Sequence, residues 1–188
     1  MFLLSPTPVR RRPAVHAVLG LALAALAAST QAQSQRHTGE LLAVVLPAAT
    51  LGTELVRGDT EGAWQFAQSL GVTALGTEVL KHTTRVERPD GSDRQSFPSG
   101  HAAWAFSSAA YVRQRHGWLA SAPLYLAAAY VGQTRVDARR HRWGDILGSA
   151  LVAEASAMWL VQPAPGLRVG IVPVLEQHQV GVTLLARW

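Results

Sequence analysis

Five apolar stretches with helical character, roughly 40–57, 62–84, 100–115, 118–134 and 143–161, take up most of the 188 residues. They constrain the fold more than any other feature of the chain. Gly58-Asp59 separates the first two, and a polar loop at 90–97 (Asp-Gly-Ser-Asp-Arg-Gln-Ser-Phe) precedes the third. Gly117 stands between the third and fourth, and a charged break from Arg139 to Arg142 precedes the fifth. The uninterrupted apolar runs reach only about 15 to 18 residues, with Glu54, Glu78, Asp145 and Glu154 inside them or at their ends. A membrane-spanning helix wants about 20 mostly apolar residues. A mean hydropathy of +0.12 leans the same way. The pattern therefore predicts an all-α fold, a bundle of about five to six helices; short Ala- and Gly-rich spans packed through small residues would also fit it.

The two ends of the chain differ from this body. Residues 1–32 read as a secretory signal: Arg10, Arg11 and Arg12 precede an uncharged Ala/Leu/Val run, and Thr30-Gln31-Ala32 offers small residues for cleavage. A polar linker at 33–38 follows. Over 163–188 the period changes. Leu167, Val169 and Ile171, and then Val180, Val182 and Leu184, alternate with other residues on either side of Glu176-Gln177-His178-Gln179. Period-two alternation around such a turn predicts a short C-terminal β-hairpin lying against the bundle. The expected organisation is a leader at 1–32, a helical domain at 33–162 and a hairpin extension at 163–188.

Charge narrows the function. There are 17 basic and 12 acidic residues, a balance of +5, and Lys81 is the sole lysine among the basics. Three arginines belong to the leader, and ten of the other fourteen basics fall between Lys81 and Arg142. That clustering suits a local anion pocket better than a nucleic-acid surface, and no DNA- or RNA-binding motif occurs. With no cysteine and with acids scattered singly, no metal cluster or other cofactor is expected.

Three segments within that basic stretch carry chemistry. Lys81 and Arg88 lie seven residues apart, two helical turns, so both can project from one face before Pro89 ends the helix. Next comes Pro98-Ser99-Gly100-His101, where Ser99 is a natural N-cap and Gly100 allows backbone amides to approach a ligand. Helix N-termini bind anions, and His101 would stand beside one. The third segment is Thr134-Arg135, five residues, His141, three residues, Asp145. One helical turn separates His141 from Asp145. The carboxylate can then hold one ring nitrogen and leave the other free to attack.

In this order and spacing the segments resemble the type 2 phosphatidic acid phosphatase family, which includes bacterial nonspecific acid phosphatases and vanadium haloperoxidases. The resemblance covers about residues 40–162. It implies a metal-independent phosphatase that passes through phosphohistidine. His141 would be the nucleophile, Asp145 its orienting partner, and His101 the general acid and then base. Lys81, Arg88 and Arg135 would hold the phosphate oxygens, helped by Ser99 and the Gly100 amide. Thr134 stands where the family usually has serine and keeps a hydroxyl for phosphate. The loop between the first two motifs is short, and the C-terminal segment lies outside the family's helical core.

The leader implies export to a bacterial periplasm or the periplasmic face of a membrane. Two substrate classes fit, phosphates or pyrophosphates of lipids at a membrane surface and small soluble phosphomonoesters. The lipid class is favoured by the apolar helices and by Trp64, Trp104, Trp118, Trp143 and Trp159, since tryptophan prefers interfaces, although core tryptophans would give the same composition. A vanadium-dependent haloperoxidase and a non-catalytic anion- or lipid-binding envelope protein are the alternatives.

Overall fold

The structure, a computed structural model of the chain, describes the backbone of residues 13–164, 168–176 and 179–187, and the side chains of residues 34–164. Five helices form the described body: α1 (Pro13–Arg57), α2 (Thr60–Thr84), α3 (Gly100–His116), α4 (Trp118–Asp137) and α5 (Trp143–Leu160). Helices α2 to α5 coincide with the apolar stretches and α1 contains the first, but α2 stops at Thr84, where Arg85 turns left-handed at φ +49°, so Arg88 stands on the following loop and not on the helix face expected for it. The linker expected at 33–38 is helical instead, continuous with α1. Nothing in Ser34-Gln35-Arg36-His37-Thr38 breaks a helix, since glycine and proline are both absent there. The expected leader at 1–32 lies outside the residues whose side chains are described. So does the tail beyond Ala164, of which only backbone is described, as antiparallel strands β1 (Arg168–Glu176) and β2 (Gln179–Arg187). Nothing below is built on either end.

Helix α3 is the axis of the bundle and packs against α1, α2, α4 and α5. Its composition explains how one helix can be surrounded. Ala102, Ala103, Ala105, Ser107, Ser108, Ala109 and Ala110 are all buried. Side chains this small let neighbouring backbones approach closely on every side. Phe66 and Tyr111 pack at 5.0 Å between ring centroids against Ala153, Ala157 and Val161. Ala43, Ala105, Ala128 and Val131 join α1, α3 and α4.

The ends of the helices are fastened by polar contacts. Asp59 caps α2 by accepting the Gly62 N–H at 2.8 Å. The same carboxylate takes a forked contact from Arg115 at the end of α3, at 2.9 Å from Nε and 2.7 Å from an Nη. Gly117, at φ +93°, turns the chain between α3 and α4, a conformation only glycine adopts freely. Outside this frame the surface is strongly apolar. Leu119, Leu126, Leu151 and Trp159 are each at least 70% exposed. All five tryptophans named above are exposed and none is a core residue. Among the described residues one stretch, Ser34–Arg57, is long and apolar enough to cross a membrane.

Candidate active site

A cavity of about 550 Å³ opens where α2 and α4 end and α3 and α5 begin. Lys81, Arg88, Gly100, His101, Arg135 and His141 line it, so the fold gathers six of the expected site residues from three separated segments. Glu40, Glu78, Asp93, Arg140 and Trp104 complete its charged and aromatic wall. Opposed helix ends explain the gathering. The start of α3 brings free N–H groups and a positive dipole end, while the last turns of α2 and α4 bring Lys81 and Arg135.

His141 is buried in the loop before α5, and its Nδ1 lies 2.7 Å from the Ser96 carbonyl oxygen. A carbonyl only accepts, so Nδ1 carries the proton and Nε2 is left with its lone pair. Burial and the positive charge of Arg88 push the His141 pKa down to about 4. The neutral ring therefore holds a single proton at neutral pH, at the nitrogen turned away from reaction. Asp145 is not the closest partner expected for this ring. Its Oδ2 stands 3.5 Å from Nδ1 and instead accepts the Ser96 hydroxyl at 2.6 Å and the Arg142 N–H at 2.8 Å. Asp145 thus fixes the loop that fixes the histidine, and stays near enough to stabilise positive charge on it.

Ser96 is the functional residue the motifs do not reveal. It uses its carbonyl for His141 and its hydroxyl for Asp145. A carbonyl is present at every position, so only the polar character of 90–97 hinted at it. The same loop serves the cations. Lys81 Nζ donates to the carbonyls of Pro98 at 2.8 Å and Gln95 at 3.2 Å, and burial lowers its pKa. Arg88 Nε donates to Asp93 at 2.7 Å. Arg135 pairs with Glu40 of α1 at 3.2 Å and donates to the Arg36 carbonyl at 3.1 Å. His101 opens onto the cavity, yet partial desolvation, and then the nearby Arg135 charge, hold its pKa below the ordinary 6.5.

Thr134 and Ser99 do not line the cavity. The Thr134 hydroxyl donates to the Val131 carbonyl at 2.7 Å inside α4, and its side chain packs directly under Gly39 of α1. Ser99 is fully buried and its hydroxyl has no partner. Its backbone joins α3 to α5, the carbonyl accepting the Ser149 hydroxyl at 2.8 Å. Gly100, next to it, does reach the cavity. Among the described residues no group of three or more histidine or acidic side chains converges as metal ligands would.

Two histidines of different exposure, three cations (Lys81 on α2, Arg88 on the loop after it and Arg135 on α4) and a helix N-terminus surround one cavity of the helical body, a basic chamber suited to an anion. The chain belongs to the PAP2 superfamily, whose family model matches residues 62–166. It is similar to the lipid A 1-phosphatase of Porphyromonas gingivalis, 32% identical over 102 residues, which is 51% of this chain and 23% of that protein. It is also similar to the lipid A 4'-phosphatase of Helicobacter pylori, 34% identical over 67 residues, 36% of this chain and 34% of that one. A putative phosphatidate phosphatase of Drosophila melanogaster is 32% identical over 77 residues, 35% of this chain and 20% of that one. The matched stretches span only about a fifth to a third of these curated relatives. The crystal structure of Aquifex aeolicus LpxE shares the fold, with a TM-score of 0.60 at 20% identity, over 69% of this chain and 84% of that one.

Proposed function

We propose that this protein is a phosphatase acting on the phosphate groups of lipids at a membrane surface, through a phosphohistidine on His141. The observation that carries the reading is the single proton of His141, held at Nδ1 by the Ser96 carbonyl, beside a cavity walled by Lys81, Arg88, Arg135 and His101. The relatives' names and the exposed apolar surface favour lipid phosphates over soluble esters. Export of the chain to the periplasmic face belongs to the same reading.

The chemistry runs in two displacements. The Nε2 lone pair of His141 attacks phosphorus, the P–O ester bond breaks, and protonated His101 gives its proton to the leaving alkoxide. The phosphorylated ring now carries positive charge, which the Asp145 carboxylate at 3.5 Å stabilises. Neutral His101 then takes a proton from water, the hydroxide attacks phosphorus, and the P–N bond breaks to regenerate His141. Lys81, Arg88, Arg135 and the amides at the start of α3 offset the charge on the equatorial oxygens, the main requirement of phosphoryl transfer.

The test is phosphate release by the purified protein from phosphatidic acid, an isoprenyl pyrophosphate and a soluble aryl phosphate, with radiolabelled lipid phosphate used to trap the intermediate. The expected adduct survives base, is lost in acid and is absent from His141→Ala. An adduct of normal yield in His141→Ala would reassign the nucleophile.

A further inference from the structure

The charged cavity adjoins an apolar one. Ala74 of α2 and Trp104 of α3 line both it and a second depression of about 480 Å³ between α1 and α2. There Val44, Ala48 and Leu51 of α1 face Ala67, Leu70 and Gly71 of α2, and no charged side chain lines the space. On each helix these positions recur at three- and four-residue spacing, so each set is one stripe. Alanine and glycine on the facing stripes keep the helices from filling the gap between them. A Cβ built on Gly71 meets nothing within 4 Å.

We propose that this groove is the subsite for one hydrocarbon chain of the phosphorylated substrate, an assignment that rests on the phosphatase reading above. Ala74 and Trp104, both uncharged, border both spaces, so a ligand with its phosphate against His101 and His141 can lay its apolar part past them into the groove between α1 and α2. From Ala74 to Ala67 the groove follows about 10 Å of helix, room for a medium-length alkyl segment. A charged chamber joined to an apolar one through shared walls matches an amphiphile whose phosphate sits directly on its apolar part. A small soluble phosphomonoester would leave the groove empty.

Monoalkyl phosphates from ethyl to octyl, kept below their micelle concentrations, test this with the purified full chain. Each buried methylene strengthens binding about fourfold, so kcat/KM is expected to rise on the order of 100-fold from ethyl to octyl, only part of the chain being enclosed. Gly71→Leu fills the groove, and leucine favours helix over glycine, so folding is retained. Its octyl-to-ethyl ratio is expected to drop at least tenfold. Val44→Gln, which makes the wall polar, should lower the ratio in the same sense. A wild-type ratio near one, or a ratio unchanged in both variants, would overturn the groove assignment. Calorimetric binding of the same phosphates gives the comparison without turnover. Chain-dependent binding with no hydrolysis of any phosphate would overturn the catalytic reading and leave the groove standing.

Discussion

At the scale of single residues, the division of labour proposed for the two histidines agrees with their surroundings. His141 must be neutral to attack, and its pKa of about 4 secures that through most of the acid range. His101 must be protonated to release the alcohol, and its pKa lies below 6.5. The profile of kcat/KM is therefore expected to be bell-shaped and acidic. Its rising limb lies near pH 4 as His141 loses its proton, and its falling limb below 6.5 as His101 does. A profile that stays flat from neutral to alkaline pH would remove His101 from the acid role. Stability has its own dependence. The native state holds the His141 pKa below the unfolded value, so the folded protein binds fewer protons there. Stability from this group is complete above 6.5 and is lost as pH falls toward about 4.

At the scale of elements, the site depends on how closely helices approach one another. Gly148 of α5 faces the ring of Phe97, and a Cβ at that glycine would stand 2.4 Å from the ring. Phe97 immediately precedes Pro98-Ser99-Gly100-His101. Gly148→Ala is thus expected to destabilise the protein by about 1–3 kcal/mol, the usual range for overpacking, and to lower kcat by shifting the start of α3. Thermal unfolding and steady-state kinetics check both. Unchanged stability would mean that Phe97 has room to move. The helices and the three motifs were legible in the sequence because both are local: apolar runs between breakers in one case, fixed spacings in the other. What was not legible depends on distant partners. Thr134 is turned away from the cavity by its packing under Gly39, 95 residues earlier. His141 donates its hydrogen bond to the Ser96 carbonyl because the loop before α3 folds back toward the start of α5. A backbone carbonyl leaves no mark on residue type.

At the scale of the whole molecule, the two ends of the bundle divide the work. At one end Asp59, Gln65 and Arg115 bind α2 to α3 through interactions remote from the cavity. The other end holds the charged cavity, and there two of the cations already have carboxylate partners: Arg88 holds Asp93, and Arg135 holds Glu40. Two of the positive charges that the basic stretch of sequence promised are thus paired with carboxylates inside the pocket, while Lys81 meets only backbone carbonyls. In the proposed reaction an incoming phosphate would have to displace Asp93 and Glu40 from these guanidinium groups. Such a pocket would work as an ion exchanger, one anion leaving the arginines as another arrives. Long-range attraction should be weak in such a site. A tenfold rise in ionic strength is expected to change kcat/KM for a soluble phosphate by less than about threefold, where an uncompensated cationic funnel would lose rate steeply. Glu40→Gln should restore that steepness, because it leaves the Arg135 charge facing outward.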